Sequence, residues 1–146
     1  MTRVDFYILP PNVLQDRFVC TIADKAWQNG NNVYIHTGNS ESATLLDNLL
    51  WTFNDISFLP HGLYEKNDLG NNPVLIGWND QLPEQCQVMI NLTEDIPATA
   101  DQISSIIEIV TTDSKDRQFA RNRYRNYRDR GFELHDHKME DDYDYV

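Results

Sequence analysis

Strand-like and helix-like segments alternate along the first third of the chain, and this alternation is the feature that most constrains the fold. Residues 4–9 are rich in aromatic and β-branched side chains, which predicts a strand. Residues 13–28 carry apolar side chains at helical spacing, and Gly30 suits the left-handed turn that ends such a helix. A second strand over 33–37 and a second helix capped by Ser40 follow after short links. This order predicts a parallel sheet with right-handed crossovers.

The rest of the chain continues the same pattern. A last helix is predicted to start at Asp113 or Ser114, either of which can cap it, and to run to Arg130, with Gly131 as its stop. Further strand candidates are residues 56–59, 74–78, 88–92 and the β-branched run 103–110. Together the segments predict an α/β fold, a single Rossmann-like three-layer domain over residues 1–137 with a mostly parallel sheet.

The end of the sequence has a different composition. Residues 138–146 are acidic, which predicts a flexible tail. His135 and His137 stand just before them and, with nearby acids, have the residue types of a metal site. We interpret this pair as the edge of the tail and expect no bound metal.

Several kinds of chemistry lack their sequence signals. No GxxxxGK[ST] motif occurs and the turn after the first strand has no glycine, so we expect no phosphate-binding loop. Cys20 and Cys86 lie far apart, and neither has a histidine beside it in the sequence. This favours two reduced thiols in a cytoplasmic protein over a disulfide, a zinc site or a catalytic pair. We therefore expect neither a cofactor nor a catalytic constellation.

The overall charge narrows the range of partners. The formal net charge is −11, which opposes binding to duplex nucleic acid or to an anionic membrane surface. No apolar leader precedes the first strand and no apolar run is long enough to cross a bilayer, so we expect a cytoplasmic location. Against this acidic background a cationic cluster contains seven of the 12 basic residues: Lys115, Arg117, Arg121, Arg123, Arg125, Arg128 and Arg130. Such a cluster should attract a local anion.

The cationic cluster lies on the predicted last helix. At about 100° per residue, one narrow sector of that helix contains Arg117, Arg121, Tyr124 and Arg128, with Arg125 on its flank. No acid lies between Arg117 and Arg128 to form ion pairs within the helix, so we expect a partner to supply the negative charge. Arginines beside a tyrosine ring suit a ligand with carboxylates and an aromatic group. Single-stranded nucleic acid and a plain solvated helix surface are the alternatives.

Several short segments, taken together, resemble one known family. They are residues 4–9, Ala26-Trp27, Leu49-Leu50-Trp51, 58–63 and, most specific, 119–128 followed by Gly131-Phe132. In this order, over residues 4–134, the chain resembles the chi subunit of bacterial DNA polymerase III, an accessory protein of the clamp loader. The resemblance implies a Rossmann-like fold without nucleotide chemistry, and a non-catalytic adaptor in place of an enzyme.

The resemblance also implies a first protein partner, single-stranded DNA-binding protein. Its acidic C-terminal tail ends in Phe and would bind a pocket made of Arg121, Tyr124 and Arg125. Arg125 stands where the family has a lysine, a change that retains the charge and alters the donor geometry. Val110 would lie beside the pocket as an apolar wall.

The second implied partner is the psi subunit, on a separate surface formed by Trp51, Phe58, Leu59, Pro60 and His61. An exposed Phe-Leu-Pro segment suits a partner anchor, while the alternative is that Trp51 and Phe58 are core residues. DNA would then be reached only indirectly. The competing functions are a small nucleotide- or nucleic-acid-processing enzyme and a direct binder of single-stranded DNA.

The last residues resemble the acidic ligand itself. Residues 140–146 combine acids with aromatic side chains, so we hypothesise that they occupy the cationic pocket, from the same molecule or a neighbour. A tail that serves only solubility is the alternative.

Overall fold

The structure is a computed structural model that describes residues 2–52, 60–64, 73–78, 83 and 86–139. The strands are β1 (Arg3–Ile8), β2 (Val33–His36), β3 (His61–Leu63), β4 (Val74–Gly77), β5 (Val88–Asn91), β6 (Ser105–Val110) and β7 (Glu133–Lys138). The helices are α1 (Gln15–Gln28), α2 (Ser40–Thr52) and α3 (Ser114–Asp129), with a short 3₁₀ helix at Ala100–Gln102.

The strands form one sheet covered by helices on both faces. Within the described residues the order is β3-β4-β2-β5-β6-β1-β7, and every pairing is parallel. α1 and α2 share a buried cluster with one face of the sheet, and α3 shares a second cluster with the other face. Because both faces are covered, β2, β4 and β5 are buried along their whole length. The predicted Rossmann-like three-layer α/β fold is confirmed.

Local signals located most of the elements to within a few residues. Asp113 caps α3 as predicted, because its carboxylate accepts a hydrogen bond from the Asp116 backbone N at 3.0 Å, and Gly131 follows the helix with φ +83°. The cap of α2 is Asn39 and not Ser40, since Asn39 Oδ1 accepts from the Ser42 backbone N at 2.8 Å. The strand candidate 56–59 lies outside the described residues.

The prediction that His135 and His137 form the edge of a flexible tail is wrong. Both lie in β7, which pairs with β1 over all six of its residues. His137 Nε2 lies 2.8 Å from Asp5 Oδ1, and its ring stacks on Tyr7 with the centroids 4.7 Å apart. Burial alone would raise the pKa of Asp5, but hydrogen bonds from Arg3 and His137 outweigh it and hold that pKa below its ordinary value. These contacts stabilise β7, a polar strand at the edge of the sheet. The strand extends to Lys138, one residue beyond the predicted domain of residues 1–137.

Candidate functional site

α3 is attached to the sheet by a narrow buried stripe. Ala120 and Tyr127 are buried on this stripe, and the ring of Phe6 in β1 lies 6.0 Å from that of Tyr127. The helix starts just after the C-terminal end of β6 and ends just before β7 begins, so it runs antiparallel to the strands. Its first half therefore lies over the C-terminal ends of β1, β6 and β7.

A buried ion pair between α3 and β6 holds this stripe against the sheet. Arg123 is 3% exposed and Glu108 of β6 is 0% exposed. Arg123 Nε donates to Glu108 Oε1 at 2.9 Å, and its Nη1 donates to the Glu94 backbone oxygen at 3.1 Å. Glu108 Oε2 accepts from the Tyr127 hydroxyl at 2.7 Å and from Asn91 Nδ2 at 2.9 Å. One of the seven basic residues of the cationic cluster thus serves the fold and is not available to a partner.

The buried network shifts the pKa of two of its members. Burial raises the pKa of Glu108, while Arg123 and the hydrogen bonds from Asn91 and Tyr127 act in the opposite direction. Burial, and then the adjacent Glu108, raise the pKa of Tyr127 far above its ordinary value. The tyrosine hydroxyl therefore stays protonated and remains a donor to the carboxylate.

A cleft of about 400 Å³ opens between α3 and the edge of the sheet. Its floor is apolar and comes from β1 and β6. One wall is the flank of α3, and the other is β7. The lining residues are Phe6 and Ile8 of β1, Val110 of β6, Arg117, Ala120, Arg121 and Tyr124 of α3, and Asp136 and Lys138 of β7.

Six residues were predicted to bind the partner tail, namely Val110 and the five residues of the helix sector and its flank, and four of the six line this one cleft. Arg117, Arg121 and Tyr124 follow each other along the helix flank, and Val110 contributes the apolar floor. The ring of Tyr124, which lines the cleft, packs on Phe6 with the centroids 5.3 Å apart, so Phe6 restricts its position. Arg125 and Arg128, which were predicted for the same pocket, lie on α3 without lining the cleft and are exposed.

The cationic side chains differ in what they already bind. Arg117 Nε donates to the Thr111 backbone oxygen at 3.2 Å. Arg128 Nε lies 3.5 Å from Asp129 Oδ1, an exposed pair just beyond the helix segment that has no acids. Within the described ranges, Arg121 and Arg125 have no carboxylate oxygen within ion-pair distance. Arg121 therefore presents a guanidinium group, over an apolar floor, that no carboxylate of the described structure neutralises.

Sequence reasoning missed the β7 wall of the cleft. Asp136 and Lys138 were assigned to the tail or its edge, because a strand with alternating charged and imidazole side chains carries little β-propensity. Leu134 was the available signal, since it packs on the buried cluster beneath α3. A partly buried leucine two positions from Asp136 fixes which face of β7 points toward the cleft.

The surface predicted for the psi subunit is described only in part. Trp51, at the end of α2, is 56% exposed, so the alternative that it is a core residue is contradicted. Its ring lies 4.4 Å from that of His61, which is buried and whose Nε2 donates to the Asp47 backbone oxygen at 3.1 Å. Pro60 precedes β3 and is partly buried. Phe58 and Leu59 lie outside the described residues.

The described part of the chain lacks the features of a metal site, a reactive thiol and a membrane span. No group of three His, Cys, Asp or Glu side chains is arranged there to hold a metal ion. Burial raises the pKa of Cys20 to about 12 and that of Cys86 to about 11, which disfavours a reactive thiolate at either position. None of the helices in the described ranges has the length and apolar composition to span a membrane.

Comparison with known proteins supplies the family. The protein-family model described as "DNA polymerase III chi subunit, HolC" matches residues 1–135, which include the whole helix flank of the cleft. The chain belongs to the DNA polymerase III chi subunit family. Chi is an accessory, non-catalytic subunit of the replicative polymerase, so the family confirms the prediction that this chain is not itself an enzyme.

Three relatives named DNA polymerase III subunit chi cover most of the chain. The Pseudomonas aeruginosa protein is 36% identical over 141 residues, which are 95% of this chain and 98% of the relative. The Escherichia coli protein is 30% identical over 141 residues, covering 92% and 96%. The Haemophilus influenzae protein is 29% identical over 132 residues, covering 88% and 92%.

One solved structure shares the fold at low sequence identity. The C-terminal domain of Saccharomyces cerevisiae Dbp5 has a TM-score of 0.60 and 12% identity, and the match covers 93% of this chain and 90% of that one. At this identity the likeness concerns the fold alone.

Proposed function

We propose that this chi-family chain is a non-catalytic adaptor that binds the acidic C-terminal tail of single-stranded DNA-binding protein and the psi subunit of the clamp loader. It would work in the cytoplasm and reach DNA only through these proteins. The single observation that carries the proposal is the cleft beside α3, where Arg117 and Arg121 stand over an apolar floor.

The chemistry of the cleft suits a peptide that ends in an aromatic residue and carries carboxylates. The floor of Phe6, Ile8 and Val110 can accept an aromatic or aliphatic side chain, and Tyr124 offers a flat wall. Arg121 can take a carboxylate through two parallel N–H donors. A peptide is favoured over single-stranded nucleic acid because the chain as a whole carries a charge of −11, which repels a polyanion at long range.

Arg121→Ala tests the tail-binding site. The probe is a labelled synthetic peptide with three aspartates, a glycine spacer and a C-terminal Phe, and the readout is fluorescence anisotropy. We expect wild-type affinity in the micromolar range and a loss of about ten-fold in Arg121→Ala, which corresponds to about 1.4 kcal/mol. The melting temperature should stay within about 1–2 °C, because the side chain is exposed and holds no partner in the described structure.

Two matched variants sharpen this test. Lys115→Ala removes an exposed cation from the first turn of α3, away from the cleft, and should leave affinity nearly unchanged. Arg125→Ala separates the family resemblance, which puts Arg125 in the pocket, from the geometry, in which it does not line the cleft. An equal loss in Lys115→Ala and Arg121→Ala would reduce the cleft to a general electrostatic effect and overturn the proposed site.

The psi surface is supported by the exposure of Trp51. A large aromatic side chain held against a buried His61, with half of its surface in solvent, has the character of an interface anchor. Trp51→Ala should weaken pull-down of psi at least ten-fold and leave peptide binding at the cleft unchanged. Leu14→Ala, at another large exposed apolar residue, next to α1, is the matched control. Retention of psi by Trp51→Ala would reject this surface.

A further inference from the structure

We infer that β7 is the second wall of the peptide site and that two of its side chains, Lys138 and Asp136, set which acidic segments bind. This inference rests on the proposed function of the cleft, and it adds residues that neither the cationic helix nor the family resemblance assigns. It concerns the charge of the wall that faces α3.

The sheet register puts both residues on the face that carries the cleft. Across β6, β1 and β7, Val110, Ile8 and Lys138 form one row of paired positions. Glu108, Phe6 and Asp136 form a second row, two residues earlier in each strand and therefore on the same face. Paired residues in a parallel sheet point to the same face, and Glu108 points to α3, where Arg123 and Tyr127 bind it.

The width of the floor suits an extended ligand. Neighbouring strands are about 4.8 Å apart, so the backbone of Lys138 lies about 10 Å across the sheet from that of Val110. A peptide in extended conformation can lie on a floor of this width. Lys138 is exposed and forms no ion pair with any of the described residues. Its ammonium group can therefore bind a carboxylate of the ligand from the side opposite Arg117 and Arg121.

The charges are distributed unevenly along the cleft. Three cations, Arg117, Arg121 and Lys138, and one carboxylate, Asp136, line it, which gives a formal charge of 3 − 1 = +2. Because α3 runs antiparallel to the strands, Arg117 and Lys138 lie toward the C-terminal ends of the strands. Asp136 is paired with Phe6, whose ring packs on Tyr124, at the aromatic end. Carboxylates of the ligand are thus attracted to one end of the cleft and repelled from the other.

Neutralising the two β7 residues singly tests the inference, because the effects should have opposite signs. With the aspartate–glycine–Phe peptide as probe, Lys138→Gln should weaken binding about two- to five-fold, the size expected for an exposed ion pair. Lys138→Arg, which keeps the positive charge, should bind the peptide with nearly wild-type affinity. Asp136→Asn should tighten binding about two-fold, because a repulsive carboxylate becomes a neutral group of the same shape. Both effects should shrink at 0.5 M salt, where charges are screened within about 4 Å.

A purely structural role of β7 predicts a different result. It would weaken binding in both variants or in neither, and it would lower their melting temperatures. No change in Lys138→Gln, together with a ten-fold loss in Arg121→Ala, would overturn the β7 inference and leave the proposed function standing. Absence of peptide binding by the wild-type protein would overturn both.

Discussion

The buried face and the cleft face of α3 use the same residue types for opposite purposes. Arg123 and Tyr127 lie on the buried face, where Glu108 neutralises the guanidinium group and accepts a hydrogen bond from the tyrosine hydroxyl. Arg121 and Tyr124 lie on the cleft face, where the arginine has no carboxylate partner in the described structure and the tyrosine ring forms a wall. Two arginines that are only two positions apart in the sequence therefore have different roles: Arg123 stabilises the fold, and Arg121 is available to a ligand.

The difference shows that a cationic cluster in the sequence need not be a single functional unit. On the buried face the protein supplies the counter-charge itself, from β6, and the pair contributes to how α3 is seated. On the cleft face no such counter-charge is supplied by the described residues, apart from Asp136 on the opposite wall. Only the second face retains the potential to recruit an acidic partner.

The largest expected effect tests the buried face. Arg123→Ala leaves the Glu108 carboxylate buried without its cation, and we expect the free energy of unfolding to fall by about 3–5 kcal/mol. Urea denaturation followed by circular dichroism measures this loss. Arg125→Ala, at an exposed position of the same helix, should change it by no more than about 0.5 kcal/mol.

Replacing both buried partners sharpens this test. Arg123→Met combined with Glu108→Gln removes both charges and keeps a side-chain oxygen that can accept from Tyr127 and Asn91, so it should recover most of the stability lost in Arg123→Ala. Equal stabilities of Arg123→Ala and Arg125→Ala would mean that the ion pair contributes no more than a surface arginine, and the contrast between the two faces would disappear.

An intermediate effect is expected from the two tyrosines. Tyr127→Phe leaves the buried Glu108 carboxylate without one of its donors, and we expect a loss of about 1–3 kcal/mol in unfolding free energy. Tyr124→Phe removes a hydroxyl that makes no hydrogen bond within the described residues, while the ring that packs on Phe6 remains. Its stability and its peptide affinity should stay close to wild type, and a large loss of affinity would instead show that the Tyr124 hydroxyl contacts the ligand.

The same contrast marks what sequence reasoning could predict. The α/β order, the cap at Asp113 and the stop at Gly131 are local signals, and they located α3 correctly. The role of Arg123 depends on a residue in another element. Two hints were present: Arg123 lies on the same helical stripe as Ala120 and Tyr127, and Glu108 is an acid inside a β-branched run that has to be buried.

β7 escaped prediction for a related physical reason. Its residues have little intrinsic preference for a strand, and the strand is stabilised by pairing with β1 and by contacts such as that of His137 with Asp5. Such contacts join parts of the chain that are 132 positions apart. Neither the spacing nor the composition of residues near the end of the sequence contains these contacts, so the β7 wall of the cleft was not predicted.

The smallest expected effect concerns competition for the cleft face by the chain itself. Met139 N donates to the Ile8 backbone oxygen at 2.9 Å, so the described chain ends at the rim of the cleft that Ile8 lines. Residues 140–146 lie outside the described residues and contain four acids and two tyrosines. If they occupy the cleft half of the time, a protein that ends at Met139 should bind the acidic peptide about two-fold more tightly, since apparent affinity scales with the free fraction.

Truncation also changes the net charge from −11 to −11 + 4 = −7, and this change alone attracts an acidic peptide more strongly. A full-length variant with four neutralised acids far from the cleft controls for it: Asp16→Asn, Glu41→Gln, Glu94→Gln and Asp101→Asn, all at exposed positions. Isothermal titration calorimetry of the three proteins separates the two effects. Competition requires that truncation tighten binding more than remote neutralisation does. Equal gains would assign the whole effect to long-range charge, and the cleft would then be open to its partner at all times.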